Sequence, residues 1–384
     1  MIKKKIYYWS PSLVNIATNK AVINSAYSIN KYDQQYSARI INFFGEFSRF
    51  KPELDDKKIE TIELLKLNLI QFLPKHGKIS SRFSFLLIFI FSFIPLKNLI
   101  KKNQPDYLII HLITSLPLLL LILFRFKTKF ILRISGLPKM NFFRKLLWKI
   151  ALQKIYKVTC PTKSTLLYLK SLNIVDEGKI SVLYDPIINI SEINKKKKEN
   201  INIKYDYVLA VGRLTRQKNF FFLCKAIKNK LKTNEKIKLL IAGEGEDKNS
   251  INQFIKDNNL EDKIILLGHI KNIFPYFLKA KAFILTSLWE DPGFVLVEAA
   301  ISRTLVLSTS AKPGPNELIK NNLNGIVYQE NDYLDFKKQF DKIFSLENSN
   351  ILKLNNLKSV KKFTLLNHYS QIKKIILGEN LQNG

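Results

Sequence analysis

Carboxylates and cysteines are both scarce in this chain of 384 residues. Asp and Glu number 31 against 62 Lys and Arg, which gives a formal net charge of +31 at pH 7. This excess suits an acidic partner, such as a phosphorylated substrate, an anionic lipid surface or nucleic acid, although biased residue usage with solvated lysines would produce it too. The two cysteines, Cys160 and Cys224, lie in different halves without metal-ligand spacing, which indicates a reducing, cytoplasmic compartment.

The sequence also lacks an uninterrupted apolar run of the length that a bilayer requires. Residues 83–96 form a run that is too short and contains Pro95, while the run at 107–126 is broken by polar residues and Pro117. We therefore predict no transmembrane helix. The first run is expected to be an apolar helix that packs in the fold or lies on a membrane, and the second to be a strand followed by a helix.

Short β-rich runs alternate with amphipathic segments along most of the chain. The predicted strands are residues 6–9, 39–44, 107–111, 130–134, 158–160, 207–211, 238–242, 264–267, 282–287 and 305–308. Such alternation builds βαβ units and a parallel sheet with helices on both faces. Because the chain is longer than one core usually supports, we predict an α/β protein with two doubly wound, Rossmann-like domains that face each other across a cleft.

Four consecutive lysines at 195–198 break the apolar periodicity and predict a solvated linker. The predicted domains are residues 1–190 and 207–366, joined by a linker at 191–206. The last helical pattern, at 367–384, follows the second domain and is placed where it could cross back to the first.

Two carboxylates surround the end of the predicted strand at 282–287. Glu290 lies just beyond its carboxyl end, and Glu298 lies early in the helix that follows. The turn and helix start between them contain Pro292, Gly293, Phe294 and Val295. Ligands of open α/β sheets bind beyond the carboxyl ends of the strands, and a helix start attracts anions. We therefore expect a phosphate-bearing ligand flanked by two carboxylates that bind hydroxyl groups.

Two earlier predicted strands also end in loops that suit a ligand. In the first loop, Gly212 permits close backbone approach, while Arg213 and Lys218 suit a diphosphate, although basic residues in such loops are often only solvated. The second loop contains Gly243, Glu244 and Gly245. Its glycines would admit a ligand against the main chain or would simply make a tight turn, and no third glycine completes a dinucleotide fingerprint.

The order of these pieces resembles the nucleotide-sugar domain of the group 1 glycosyltransferases, which are retaining enzymes of the GT-B fold. The resemblance covers roughly residues 207–328 and includes the spacing from Glu290 to Glu298 and a further glycine-containing loop at 314–317. Residues 132–138 and 184–186 are similar to bacterial surface-polysaccharide transferases of this group. The GT-B fold is therefore our expectation for the whole chain.

The resemblance implies a role for each donor-site residue. Arg213 and Lys218 would hold the donor diphosphate, and Glu290 would bind hydroxyl groups of the donor sugar. The remaining donor contacts would come from Glu298 to the ribose and from the main chain at His269 and Ile270 to the base. An interpretation of the two glutamates as a glycosidase pair is disfavoured, because a turn and a helix start separate them.

Cleavage of a bond between sugar and diphosphate builds negative charge on the leaving group and positive charge on the sugar, so fixed cations lower the barrier. In this family such cations replace a divalent ion, and the sequence contains no Asp-rich metal motif. We therefore expect neither a metal nor a cofactor, with the nucleotide sugar as a substrate.

The first half supplies candidate acceptor contacts. His111 and Arg133 each end a predicted strand, which would place both at the lip of the cleft, although a histidine there is more often structural. Asn19 and Lys20 stand where the family often has a glycine-rich loop and would supply polar contacts. Residues 139–154 form a basic amphipathic helix with Phe and Trp, which is typical of a helix on anionic lipid and also of a packed helix with solvated lysines.

The sequence thus predicts a retaining glycosyltransferase that transfers a sugar from a nucleoside diphosphate to a lipid-linked glycan in bacterial surface polysaccharide synthesis, such as that of O-antigen. We expect it to be cytoplasmic and peripheral at the inner face of the cell membrane, with an anionic membrane surface as a partner. One alternative is another nucleotide-sugar enzyme on this fold, such as an epimerase. Another is a non-enzymatic basic protein that binds membrane or nucleic acid, but no base-stacking motif supports a nucleic-acid partner.

Overall fold

The computed structural model describes residues 3–13, 17–65, 78–138, 140–233, 236–347 and 349–379, with side chains of its longest helix described from Ser84. The chain divides into two compact units. Unit 1 contains Met1–Ile187 together with Leu365–Gly384, and unit 2 contains Ile188–Thr364.

Within the described residues, unit 1 is built on a parallel sheet of seven strands. They are β1 (Lys4–Trp9), β2 (Tyr36–Asn42), β3 (Thr61–Glu63), β4 (Tyr107–Ile110), β5 (Lys129–Arg133), β6 (Lys157–Cys160) and β7 (Ile180–Val182). Their order across the sheet is β3-β2-β1-β4-β5-β6-β7. Successive side chains of a strand point to opposite faces, and both faces are buried here: Trp9 belongs to one core cluster and Tyr8 to another.

Unit 2 has a parallel sheet of six strands in the part of the chain that is described. They are β8 (Asp206–Val211), β9 (Ile237–Ala242), β10 (Ile264–Gly268), β11 (Ala282–Leu285), β12 (Val306–Thr309) and β13 (Ile326–Tyr328). Their order is β10-β9-β8-β11-β12-β13. Successive residues such as Val208 and Leu209 are both fully buried, as expected for a sheet covered on two faces.

Helices follow nearly every strand. In unit 1 they are α1 (Ala17–Tyr32), α2 (Lys51–Asp56), α3 (Lys78–Asn103), α4 (Ser115–Leu123), α5 (Phe142–Lys154) and α6 (Lys163–Ser171). In unit 2 they are α7 (Ile190–Lys197), α8 (Phe220–Thr233), α9 (Lys248–Asp257), α10 (Phe274–Lys279), α11 (Phe294–Ile301), α12 (Gly314–Leu318), α13 (Tyr333–Ser345) and α14 (Ser349–Ser359). The predicted class, two doubly wound α/β domains, is confirmed.

The final helix, α15 (Leu365–Leu377), belongs to unit 1 although it follows unit 2 in the sequence. Ile372, Ile375 and Ile376 are buried in the same core cluster as Val22 and Ala26 of α1. This apolar face explains the return, because an amphipathic helix is stabilised mainly by the surface that it buries.

The predicted linker at 191–206 is wrong in its first part, which forms α7 of unit 2. Ile193 of that helix is buried, and the Lys197 ammonium donates to the carbonyl of Ile301 at 2.6 Å. Lysine stems cover apolar surface while their charged ends stay near polar groups. The lysine run therefore ends a packed helix rather than marking a solvated linker.

The apolar run at 83–96 is also longer in the structure than predicted, because α3 continues through Pro95 to Asn103. Within the described residues, Ser84–Asn103 is one helix whose length and composition would allow it to cross a membrane, and 28 % of its most apolar window is buried. A core helix of a soluble protein meets the same criteria. Ile88, Leu96 and Ile100 pack in the core of unit 1, whereas Ile90 and Ile94 on the other side are exposed.

Candidate functional site

The sheet of unit 2 reverses its strand order next to β8. The chain proceeds from β8 through β9 and β10 on one side, and β11 then pairs with β8 on the other side. The loops after β8 and β11 therefore run apart, and such a switch point at the carboxyl edge of an open α/β sheet is where ligands bind. The predicted donor-site residues all follow β8, β9, β10 or β11.

Lys218 and Glu290 form an ion pair across this switch point. Lys218 lies in the loop after β8, and its Nζ contacts Oε1 of Glu290 in the loop after β11. The Ser287 hydroxyl donates to the same oxygen at 2.7 Å. The two charged side chains are only 13 % and 10 % exposed, so salt screens this pair less than a surface pair.

Main-chain contacts hold the two loops together around the pair. The N–H of Leu288 donates to the carbonyl of Gln217 at 2.8 Å, and the hydroxyl of Thr286 donates to the carbonyl of Lys218 at 2.7 Å. The ammonium and the carboxylate are therefore placed before any ligand binds. Preorganised charges of this kind need little rearrangement when charge develops on a substrate.

Glycines allow the neighbouring loops to pack closely. A Cβ atom on Gly212 would lie 2.9 Å from Cε of Lys218, so the glycine leaves room for the lysine stem. A Cβ on Gly243 would lie 1.8 Å from the carbonyl oxygen of Gly212, and one on Gly245 would lie 2.2 Å from that of Leu214. Packing of the loops after β8 and β9 thus requires Gly243 and Gly245, and their contact with a ligand stays a prediction.

The turn after Glu290 leads directly into α11. Gly293 has φ +90° and is the N-cap residue of α11, a conformation that favours glycine. The helix begins with half-buried Phe294 and buried Val295, and half-buried Glu298 lies in its second turn. The first N–H groups of a helix have no partners within the helix, so this helix start presents donors at the carboxyl edge of the sheet.

The predicted loop at 314–317 begins α12 and packs against that turn. The N–H of Gly314 donates to the carbonyl of Glu290 at 2.8 Å. A Cβ on Gly314 would lie 2.0 Å from the carbonyl oxygen of buried Pro292, so only glycine fits there. This loop therefore packs against the segment that contains Glu290 and Pro292.

The remaining donor-site candidates lie at the same edge, and most of them have exposed side chains. Arg213 is exposed and forms no ion pair with any described residue. Glu244, in the loop after β9, accepts a hydrogen bond from Nζ of Lys248 at 3.0 Å. His269 is exposed and Ile270 is half-buried, directly after β10. The structure thus brings all predicted donor-site residues to the carboxyl edge of the unit 2 sheet.

Unit 1 has its own switch point, between β1 and β4, and a cavity of about 940 Å³ opens there. The cavity is lined by segments that follow β1, β4 and β5, including Ser12, His111 and Ser135. Asn19 does not line it. The buried Asn19 amide donates to the Ser12 hydroxyl at 2.8 Å and so fixes the segment after β1, while Lys20 is half-buried outside the lining.

Arg133 is not at the lip of a cleft, contrary to the sequence-based prediction. Its side chain is 2 % exposed, and its Nη2 lies 2.7 Å from Oδ1 of Asp185. The next residues, Ile134 and Ser135, line the cavity instead. A buried guanidinium needs a carboxylate partner, and this pairing went unpredicted although 184–186 was singled out.

His111 is buried in the wall of the cavity. Burial lowers the pKa of His111 well below its ordinary value, and the positive charge of Arg133 lowers it further. The imidazole is therefore neutral at pH 7 and can exchange hydrogen bonds with a hydroxyl group. His368, which the sequence did not single out, is itself buried, and burial lowers its pKa to about 4.

The family model for glycosyl transferases group 1 matches residues 191–358. Residues 191–358 are a glycosyl transferase group 1 domain. This domain contains every candidate donor-site residue described above, and its match agrees with the resemblance inferred from the sequence.

Two curated relatives of this chain are named as N-acetylgalactosaminyltransferases. An N-acetylgalactosamine-N,N'-diacetylbacillosaminyl-diphospho-undecaprenol 4-alpha-N-acetylgalactosaminyltransferase of Campylobacter jejuni is 34 % identical over 155 residues, which are 40 % of this chain and 41 % of that protein. A GalNAc-alpha-(1->4)-GalNAc-alpha-(1->3)-diNAcBac-PP-undecaprenol alpha-1,4-N-acetyl-D-galactosaminyltransferase of the same organism is 25 % identical over 375 residues, 96 % of each chain. The first alignment thus spans less than half of its relative, whereas the second spans nearly all of it.

Solved glycosyltransferase and related structures share the fold over nearly the whole chain. A glycosyltransferase from Rickettsia africae has a TM-score of 0.73 at 20 % identity, with 100 % of both chains covered. HepE of Anabaena, solved with UDP and glucose, has a TM-score of 0.70 at 15 % identity, covering 98 % of this chain and 100 % of HepE. TarM of Staphylococcus aureus, solved with UDP, has a TM-score of 0.71 at 15 % identity, covering 97 % of this chain and 99 % of TarM. The GT-B fold class expected from the sequence is confirmed.

Proposed function

We propose that the protein is a glycosyltransferase that moves a sugar from a nucleoside diphosphate to a lipid-linked glycan in bacterial surface polysaccharide synthesis, with retention of configuration. The group 1 domain and the names of its relatives support the reaction class and the lipid-linked acceptor. The observation that carries the proposal is the ion pair of Lys218 with Glu290 at the switch point of unit 2.

The residues around this pair suit each part of a nucleotide sugar. The Lys218 ammonium and the exposed Arg213 guanidinium would bind the diphosphate, which the start of α11 would also attract. The Glu290 carboxylate would bind sugar hydroxyl groups, and Glu298 would bind those of the ribose. Oε2 of Glu290 accepts no hydrogen bond from the described residues and so has capacity for a hydroxyl donor.

In the proposed reaction, the bond between the sugar C1 and a diphosphate oxygen breaks, and an acceptor oxygen bonds to C1. The acceptor proton passes to the departing diphosphate. Negative charge grows on the diphosphate during this step, and the Lys218 ammonium, held beside Glu290, would stabilise it together with the Arg213 guanidinium. We therefore expect the transfer to proceed without a divalent metal, since these two cations supply the charge that a metal would.

We further propose that unit 1 receives the acceptor and rests on an anionic membrane surface. The N-terminal part of α5 exposes Phe142 and Phe143, at 76 % and 79 %, beside exposed Lys145 and Lys149. Exposed apolar side chains beside lysines are typical of a helix that lies on anionic lipid. Trp148 and Ala151 hold the other side of the helix in the core, so membrane contact would leave the fold intact.

A thermal-shift screen with UDP, GDP and their sugars tests donor binding. A bound donor raises the melting temperature with the logarithm of its concentration over Kd. We expect one nucleotide class to raise it, and Lys218→Ala and Glu298→Ala each to abolish the shift at ligand concentrations that saturate the unmodified protein.

Lys281→Ala is the matched control. Lys281 pairs with Asp206 at 3.1 Å, where β11 and β8 begin, so it is a lysine–carboxylate pair on the same two strands at the opposite sheet edge. Lys281→Ala should keep the full donor-induced rise in melting temperature. If Lys218→Ala and Glu298→Ala also keep it, the donor-site assignment is wrong.

A further inference from the structure

Two helices supply the Phe and Trp side chains of the unit 1 cavity wall. Phe85 comes from α3, and Phe143, Leu147 and Trp148 come from α5. At about 940 Å³, the cavity lies within the range of about 300–1,000 Å³ that is typical of ligand sites. Its polar lining groups come mainly from the loops after the strands. The helical wall therefore fits an apolar portion of a ligand, and the loops add further apolar groups, such as Leu112 and Ile113, beside the polar ones.

The apolar wall continues onto the exposed faces of the same helices. Phe85 and Phe143 line the cavity although they are 42 % and 79 % exposed. The other exposed apolar side chains of the two helices are Leu86, Ile90, Phe91, Ile94, Phe142, Leu146 and Ile150. Exposed apolar groups gathered in this way mark a surface that contacts lipid or a partner. Here they lead from the outside of unit 1 to the inside of its cavity.

Positively charged side chains lie beside this apolar surface. Arg144 lines the cavity, and Lys145 and Lys149 are exposed on the same helix. A guanidinium binds two phosphate oxygens at once, and ammonium groups add attraction for a multiply charged anion. An uncharged glycan would gain nothing from this arrangement. A molecule that joins an apolar chain to a diphosphate would use both the wall and the cations.

We propose that the unit 1 cavity binds the hydrocarbon chain of the acceptor next to its diphosphate, with Phe143, Leu147 and Trp148 against the chain and Arg144 at the diphosphate. This inference rests on the proposed function, because it assigns the lipid part of that acceptor a binding site in the protein. The enzyme then selects its acceptor by the chain as well as by the glycan, and the exposed faces of α3 and α5 guide the chain from the membrane.

Calorimetric titration of the full chain, without membranes, tests this inference. The probes are geranylgeranyl diphosphate, geranyl diphosphate and inorganic pyrophosphate, each below its micellar concentration. Since each further buried methylene strengthens binding about fourfold, we expect the C20 diphosphate to bind at least about tenfold more tightly than the C10 diphosphate. Pyrophosphate should bind most weakly of the three.

Phe142 and Phe143 offer a matched pair of variants. They are neighbours in α5 with nearly equal exposure, but only Phe143 lines the cavity. Phe143→Ala should weaken binding of the C20 diphosphate about tenfold, which corresponds to partial loss of one buried aromatic contact. Phe142→Ala should leave it unchanged. Equal effects of the two variants, or equal affinity for the C10 and C20 chains, would overturn the inference.

Two further measurements distinguish this inference from a general lipid site and from the proposed function itself. Dihexanoyl phosphatidylglycerol should compete poorly with the C20 diphosphate, and equal competition would show a general lipid site instead of an acceptor site. UDP should stabilise Phe143→Ala as it stabilises the unmodified protein. Chain binding without any nucleotide binding would refute the proposed function, whereas nucleotide binding without chain-length dependence would refute this inference alone.

Discussion

Ser25 of α1 and His368 of α15 share a hydrogen bond of 2.7 Å, although 343 positions separate them in the sequence. The Tyr8 hydroxyl lies 2.7 Å from the same serine oxygen, and the other ring nitrogen of His368 lies 2.7 Å from the carbonyl of Tyr184. The last helix of the chain is thereby tied to the first strand and helix of unit 1 by a buried polar network. Such networks are costly to disturb when every member is satisfied.

His368 should make the protein less stable in mild acid. Burial lowers its pKa in the folded protein to about 4 from an ordinary value of 6.5, so only the unfolded chain binds this proton between those pH values. The free energy of unfolding should therefore fall as the pH drops from 6.5 towards 4, by about 3 kcal/mol from this group. Denaturant titrations across this range measure it. His368→Gln should flatten the dependence, whereas the same change at exposed His269 should not.

Arg133 and Asp185 should behave as a structural pair. Asp185→Asn leaves a buried guanidinium uncompensated and should lower the free energy of unfolding by about 3–5 kcal/mol. A double variant, Arg133→Met with Asp185→Leu, should recover most of that loss, since it removes both buried charges. Nucleotide binding measured by thermal shift should survive in the double variant. Failure of the double variant to recover stability would contradict a purely structural role.

Gly243 should tolerate no side chain. Gly243→Ala places a Cβ 1.8 Å from the carbonyl oxygen of Gly212, so the loop that carries Lys218 must shift. We expect a loss of about 1–3 kcal/mol in chemical denaturation, typical of overpacking, together with weaker nucleotide binding. Gly178→Ala is the control, because no atom lies within 4 Å of its added Cβ, and it should change stability by less than about 0.5 kcal/mol.

The lysines of α5 should govern attachment to anionic vesicles. Each lysine near an anionic surface contributes about 1 kcal/mol, so Lys145→Gln with Lys149→Gln should weaken vesicle binding about thirtyfold. Flotation with phosphatidylglycerol vesicles measures the effect. The control is a variant with both Lys337 and Lys338 replaced, which are exposed lysines of α13 in unit 2. This variant should bind the vesicles as the unmodified protein does. Binding that ignores anionic lipid content and salt would exclude this mode of attachment.

Retention predicts the configuration of the product. With an α-linked nucleotide sugar as donor, the new glycosidic bond should also be α, and the proton coupling at C1 in NMR spectra reports it directly. A β-linked product would show inversion while leaving the donor site intact. An epimerised donor without a transferred sugar would instead favour the epimerase alternative.

Local patterns located the main strands and brought the candidate donor-site residues to strand ends. The strands β8 and β11 were predicted within a few residues because both are short apolar runs that end at polar or glycine positions. Strands such as β3, β7 and β13 were missed, since three residues carry too little periodicity. Ser287 was seen only as the end of a predicted strand, and its bond to Glu290 depends on how the loop turns.

The sequence by itself determined the alternation of strands and helices, and with it the parallel sheets and the carboxyl edge at which Lys218 and Glu290 lie. Only the tertiary structure decided that Arg133 is buried against Asp185, that His368 meets Ser25, and that α3 and α5 enclose a cavity. The physical reason is the separation along the chain between the residues involved. Periodicity along the chain reports which side of a segment is buried, whereas partners far apart in sequence are chosen by how whole surfaces pack.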